Sequence, residues 1–298
     1  VSCFHPQGTA LAGEAGGTRR GLALSLFIGA GTVGYALGPL LIVYLVSAVG
    51  LKNTWFSAIP GVVVALLIYT LTSSEKTHSR PSERTSLRAS LLPKWRPMAL
   101  LMTIVIITSI NRLGFLSFVP IFLGKHGQSL VMGGWAVTIY VAFGAIGATL
   151  GGPLSDCWGR KRTIMLVIFA SVPTGYAYIL TGGLGWLSLT FLALSGAATM
   201  ASNTALVAMS QEMLPENPGV ASSLVMGLGW GIAGIALTLA GNLADALGIT
   251  ITLIILSFVP LLSVFFCMAI IEEEKAQPRQ TLGTVQPTLS TKEGSRKI

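Results

Sequence analysis

Charge is what this chain has least of. Only 10% of its 298 residues are Asp, Glu, Lys or Arg, less than half of the roughly 25% typical of a soluble domain. That shortage excludes an ordinary water-soluble enzyme. Negative charge is the scarcer sign, with 11 carboxylates against 19 lysines and arginines, and no carboxylate lies in the middle of any long apolar run. Cysteine is nearly absent. Cys3, Cys157 and Cys267 have neither CxxC nor zinc-type spacing, so no metal ion or cofactor is expected. HExxH, GxSxG and paired intramembrane aspartates are also missing, which removes the usual chemistries of a polytopic membrane enzyme. The pI of 9.7 invites a nucleic-acid partner, but the basic residues form no single stripe and no DNA- or RNA-binding motif occurs. Runs alternating in polarity over about ten residues, as a transmembrane barrel needs, do not occur either.

What the chain has instead is apolar length. Hydrophobic residues make up 52% and glycines number 35, and mean hydropathy is +0.73. Glycine among long apolar runs suits helices that approach closely in lipid. A bilayer core about 30 Å thick needs about 20 apolar residues in helix. Eight segments qualify: 21–48, 54–73, 98–123, 132–154, 163–182, 186–208, 219–245 and 248–271. Residues 1–12 read as the end of a further helix, and with Val1 opening in mid-pattern no secretory leader is expected. The fold class expected is an all-α, polytopic membrane protein.

The polar intervals orient it. Arg19 and Arg20, the six basic residues of 74–97, then Arg160, Lys161 and Arg162, and five more after residue 271 all fall on one side if the spans alternate. Only Lys52 and Lys125 fall on the other, and Arg112 lies inside a span. Sixteen of the 19 basic residues on one side is a strong positive-inside signal, so the basic side, the linker and the tail are expected in the cytoplasm of an inner-membrane protein. All three cysteines then lie near that reducing side, which argues against disulfides.

Residues 21–31 (GLALSLFIGAG) and 219–229 (GVASSLVMGLG) share six of eleven positions: Gly21/Gly219, Ala23/Ala221, Ser25/Ser223, Leu26/Leu224, Gly29/Gly227 and Gly31/Gly229. Both segments start at the basic side, as two parallel halves related about the membrane normal require. Chance likeness between glycine-rich helices is the competing explanation. Taken as a repeat, the pair implies twelve helices of which this chain holds the fourth to the twelfth, with an N-terminal part lacking. The expected organisation is a remnant of one bundle over 1–73, a hydrophilic linker over 74–97, a six-helix bundle over 98–271 and a polar, disordered tail over 272–298.

The loop after the fourth span reads Gly152-Pro-Leu-Ser-Asp156-Cys-Trp-Gly159-Arg160-Lys161-Arg162. It resembles the GxxxD(R/K)xGR(K/R) signature of the major facilitator superfamily, with Cys157 in place of the usual basic residue. The resemblance implies that Gly152, Asp156, Gly159, Arg160 and Lys161 brace one conformation of an alternating-access cycle. Asp156 is suited to facing a helix N-terminus, where the helix dipole favours negative charge. Gly34-Tyr-Ala-Leu-Gly38-Pro39 resembles the helix-five motif of antiporters in that superfamily, although Ile42 and Val43 stand where the motif has glycines, and close packing alone explains a GxxxG as well. Phe4-His5-Pro6-Gln7-Gly8, Arg19-Arg20-Gly21-Leu-Ala-x-Ser25, Gln211-Glu212-x-x-Pro215 and Ala244-Asp245 together are similar to the fosmidomycin-resistance branch. That likeness implies efflux of a small molecule, such as a drug or antibiotic, by exchange with protons.

Arg112 stands about 15 residues past Pro97, roughly 22 Å along a helix at 1.5 Å per residue and well inside the hydrocarbon. An arginine there costs about 2.5–3.5 kcal/mol even on insertion scales, so it must face the bundle interior or water. A guanidinium so placed can hold a carboxylate or phosphonate by bidentate hydrogen bonds, or it can pair with backbone carbonyls instead. Asn111, Asn203 and Gln211 are candidate cavity residues that interhelical hydrogen bonding explains equally well. His5 and Asp245 are candidate proton-linked groups, with a helix-end role and an exposed cap as their plainer readings. The partners expected are a small-molecule substrate, a proton and the lipid bilayer. Because no mid-span carboxylate is present, the chain by itself is not expected to transport. An uptake carrier of the same superfamily and a non-transporting scaffold are the alternatives. Membrane-impermeant thiol labelling of cysteines placed in 74–97 and in 159–162 is expected to reach both from one face of the membrane, and labelling from opposite faces would end the topology.

Overall fold

The computed structural model describes residues 4–72 and 91–276. Most of the expected linker and tail lies outside the described residues. Among those described, the chain is helix upon helix with no strand. The helices are α1 (Phe4–Ala15), α2 (Arg20–Val49), α3 (Ala58–Thr72), α4 (Trp95–Lys125), α5 (Leu130–Trp158), α6 (Arg160–Thr181) and α7 (Trp186–Met213). They are followed by α8 (Pro218–Leu247), α9 (Ile249–Phe258) and α10 (Leu262–Ala276), the last two joined by a 3-10 turn, Val259–Leu261.

Seven helical segments are long and apolar enough to cross a bilayer, six of them between Leu92 and Ile270. The second expected span, 54–73, differs from its sequence reading. Its first residues belong to a 3-10 turn, Leu51–Ser57, and α-helix begins only at Ala58. The cause is local. Asn53 Nδ2 donates to the Val49 carbonyl (2.7 Å), Thr54 Oγ1 to Leu51 (3.1 Å) and Ser57 Oγ to Thr54 (2.7 Å), so side chains compete with the helical ladder for its acceptors. Elsewhere the helices overrun the expected bounds. α7, expected to end at 208, continues to Met213 and carries Gln211 and Glu212 with it.

Two turns need glycine. Gly159 alone separates α5 from α6, and Gly248 alone separates α8 from α9, both with φ of 88°. A residue with a Cβ resists that backbone conformation.

Packing centres on α7, whose residues 199–211 are all buried. Its neighbour α5 supplies glycines where the two helices cross. A Cβ added at Gly147 would sit 2.6 Å from Ala197 Cα, one at Gly151 2.7 Å from Ala201 Cα, and one at Gly144 2.8 Å from Met200 Cγ. Gly196 returns the arrangement from the α7 side, against the Tyr140 carbonyl. With no side chain between the backbones, Thr204 Oγ1 reaches across to the Ala148 carbonyl (3.1 Å). Helix α2 lies on the other face of α5, where Gly29 meets Thr149 and Gly152 meets Gly21 and Ser25. Two apolar clusters fill the bundle. Leu24, Met98, Leu101, Ile164, Leu206 and Val225 form one toward the basic end, and Phe115, Phe122, Tyr140, Tyr178, Leu192 and Leu253 the other beyond mid-span.

Lipid offers no hydrophobic drive between helices, so this close approach carries much of the association. Gly147→Ala is expected to destabilise the protein by about 1–3 kcal/mol, the usual cost of overpacking. Gly231→Ala, where a Cβ meets nothing within 4 Å, is expected to be neutral or slightly stabilising. Thermal unfolding in detergent compares the two, and equal effects would refute the account.

Candidate functional site

Two polar constellations stand out, one inside the membrane and one at the basic end. The inner one is built on Arg112. Helix α4 carries it from Trp95 to mid-bundle, where its Cζ lies 4.4 Å from the centre of the Trp230 ring. Trp230 is on α8, directly after a π-helical turn, Ser223–Gly229. Cation–π contact of this kind is worth about 2 kcal/mol or more when desolvated. Among the described residues, the phenols of Tyr140 on α5 and Tyr35 on α2 are ionisable groups near the guanidinium. Among the described residues, Arg112 has no carboxylate within ion-pair distance. Tyr140 is 2% exposed and stacks on Phe115 with centroids 5.8 Å apart. Four helices thus bring a cation and three aromatic rings to one region. Such an arrangement can receive an anion at the guanidinium, which is half-buried and not fully enclosed.

Asn111, beside Arg112 in sequence, is turned the other way. Its Nδ2 donates to the Leu256 carbonyl at 2.7 Å. In an unbroken helix that carbonyl would accept from residue 260, but residue 260 is proline and has no N–H. Asn111 supplies the missing donor and ties α4 to α9 where the helix breaks. Asn203 lies in the enclosed stretch of α7, 8% exposed, with no side-chain hydrogen bond among the described residues. Gln211 is fully buried near the basic end. Its Nε2 donates to the Ser222 hydroxyl (2.9 Å) and the Thr9 carbonyl (3.3 Å), joining α7 to α8 and α1. In this conformation it therefore bridges helices and lines no open cavity. Asp245 is exposed near the end of α8 away from the basic end. The backbones of His5 and Pro39 belong to α1 and α2, but their side chains lie outside the described ones. Gly34 and Gly38 on α2 face open space, where a Cβ would meet nothing within 4 Å.

The second constellation gathers the loop motif. Arg160 Nη1 pairs with Asp156 at 2.6 Å and bonds the Ser155 hydroxyl. Its Nη2 and Nε hold Glu212 of α7 at 2.7 and 3.1 Å. One guanidinium so locks the α5–α6 turn to the end of α7. The Asp156 carboxylate lies against the first turn of α2, where a Cβ at Gly21 would come within 2.6 Å of Asp156 Cγ. The Arg19 side chain makes no cap there, so the carboxylate meets the positive end of α2, worth about 0.3–1 kcal/mol. Gly152 and Gly21 let α5 and α2 meet closely enough for it.

Sequence reasoning did not find Trp230, Tyr140 or the link from Arg160 to Glu212. One signal existed. Tryptophan in membrane proteins gathers at the interfaces, whereas Trp230 lies about 12 residues into its span, roughly 18 Å by helix rise. No pattern within α7 assigns Glu212 to Arg160, because 52 residues separate them.

The sequence profile of the Major Facilitator Superfamily matches residues 1–133 and 101–296. The chain is 29% identical over 272 residues to an uncharacterized MFS-type transporter, YfnC, of Bacillus subtilis (strain 168), covering 88% of this chain and 66% of that protein. It is 27% identical over 270 residues to the fosmidomycin resistance protein of Escherichia coli (strain K12), covering 88% of this chain and 65% of the relative. The chain therefore spans just under two thirds of the length of these relatives. Among solved structures, the fold is similar to the E. coli fucose:proton symporter FucP (TM-score 0.68, 18% identity, 90% of this chain and 72% of that one). It is also similar to FucP in the outward conformation (TM-score 0.64, 16% identity, with the same coverage). At these identities the likeness is one of fold.

Asp156→Asn keeps the shape of the side chain but removes the charge that Arg160 and the start of α2 share. It is expected to lower thermal stability in detergent by about 1–2 kcal/mol, as loss of a charged hydrogen bond does. Adding Glu212→Gln is expected to give a non-additive loss, since both carboxylates hold one guanidinium. Additive effects in the double-mutant cycle would mean the three residues are not one unit.

Proposed function

Because the chain belongs to the Major Facilitator Superfamily, we propose that it serves a secondary active transporter that moves a small anion across the membrane by alternating access. The observation that carries this reading is Arg112, a guanidinium inside the bundle that meets an indole face and no carboxylate among the described residues. A buried cation without a counter-ion is costly, so an anionic substrate group is the natural complement. The planar fork of arginine suits a carboxylate or phosphonate held at two oxygens. Tyr35 and Trp230, which are not buried, supply flat apolar surface for the rest of the molecule.

Efflux in exchange for protons is the direction we favour. It draws support from the fosmidomycin resistance relative and from the helix-five glycines Gly34 and Gly38. The fold neighbour titled a fucose:proton symporter favours uptake as the second reading. Proton coupling would fall to His5, Asp245 or a group outside this chain, since no carboxylate occurs mid-span. We place the basic end of the bundle in the cytoplasm of an inner membrane, as the charge bias implies. The brace around Arg160 then closes that side, and breaking it would accompany opening.

The test is a susceptible host expressing the full-length gene and screened against small anionic drugs. Resistance to at least one is expected with the native residue. Arg112→Gln is expected to abolish it at equal membrane abundance, with an apparent affinity loss of roughly 30-fold or more, as for truncation of a buried charge pair. Arg112→Lys is expected to recover little, because an ammonium cannot bind two oxygens in the same plane. Unchanged resistance in Arg112→Gln would rule out this residue as the anion's partner.

A further inference from the structure

At the basic end, a cleft of about 550 Å³ opens beside the Arg160 brace, among α4, α6, α7 and α10. Four cations line it: Lys94, Arg160, Lys161 and Arg162. Glu212 is the one carboxylate among the described lining residues. Arg160 is held by Asp156 and Glu212, and among the described residues the four lining cations outnumber these two carboxylates, which leaves the cleft a net positive field. Its remaining wall is apolar, from Pro97, Met209, Met213 and Ile270. The transport reading does not use this cleft. It lies at the end of the bundle, where its lining residue Pro97 is roughly 22 Å along α4 from Arg112 by helix rise.

A second hollow of about 370 Å³ adjoins it, lined by Cys157, Trp158, Arg162 and Leu166. Trp158 and Arg162 line both. Trp158 and Leu166 are more than half exposed, at 54% and 53%, on the outside of the bundle. The charged hollow and the apolar one therefore share a wall, and the apolar one follows α6 toward the hydrocarbon. Trp158 and Trp95 stand at the same end, where tryptophan marks the headgroup level.

We infer that this paired hollow binds an anionic phospholipid of the adjoining leaflet. Its phosphodiester lies among Lys94, Lys161 and Arg162, and an acyl chain runs past Trp158 and Leu166. A free phosphate would use the cations but leave the apolar hollow empty. A zwitterionic lipid would fill the hollow but bring a cationic group into a cationic cleft. Basic pockets between helices at a membrane surface hold anionic headgroups by this combination of charge and depth. The occupant would also touch Arg160 and Glu212, and so bear on the brace that joins α5, α6 and α7.

The test uses the full chain, purified in detergent and titrated with short-chain phosphatidylglycerol, short-chain phosphatidylcholine or inorganic phosphate, with thermal unfolding as the readout. Phosphatidylglycerol is expected to raise the unfolding temperature saturably, and the other two are not. Lys94→Gln with Arg162→Gln is expected to weaken the apparent affinity about 30-fold, from about one surface-charge contribution per residue. If that double variant does not fold, each single change is expected to weaken it about 5-fold, while Arg162→Lys keeps it near the native value. Equal responses to the two lipids, or affinities unmoved by these changes, would overturn the inference. An equal response to inorganic phosphate would make it a free-anion site and overturn the lipid assignment.

Discussion

The structure depends on how near α5 can come to its two neighbours. Gly144, Gly147 and Gly151 present bare backbone to α7, while Gly152 does the same toward Gly21 on α2. In lipid the tails are as apolar as leucine, so nothing is gained by bringing together two helices that touch only through large side chains. Removing the Cβ atoms allows dispersion contacts and cross-helix bonds such as Thr204 to Ala148. Both constellations follow from that approach. Tyr140 is delivered to the Arg112 region by the same helix that delivers Asp156 to the start of α2.

Polar groups within this bundle are few, and most are used to fasten one helix to another. Asn111 fills the bond that Pro260 leaves open, and Gln211 joins three helices through two donors. Each satisfies backbone or hydroxyl groups that hydrocarbon cannot. Arg112 is different in kind. Its contact is with a ring face, which lowers the cost of burying charge without consuming the donors of the guanidinium. Unused hydrogen-bonding capacity is expensive in such a medium.

The two constellations lie apart along the bundle axis. One holds a cation at depth, and the other clamps α5, α6 and α7 at the surface through Arg160. The π-helical turn before Trp230 lies within 219–229, while the similar segment 21–31, in α2, winds as regular α-helix. Segments that share six of eleven residues thus take two forms. Segment 21–31 packs Gly29 against Thr149 of α5, whereas its counterpart Gly227 has no neighbour within 4 Å among the described residues. Helical register here is decided by what lies alongside.

Much was legible in one dimension. Scarce charge and apolar runs of about 20 residues require helices in lipid, because only a helix satisfies its own backbone there. Spacing also put Arg112 at depth. The partners were not legible. Nothing in the order of residues says that Asn111 answers Pro260 from 149 positions away, that Arg160 reaches Glu212, or that Trp230 covers Arg112. Those pairings depend on which face of each helix turns inward. A helix of uniformly apolar residues has no amphipathic stripe to fix that rotation. Only packing against the neighbours fixes it, and so chemistry that composition could announce was assembled by the tertiary fold.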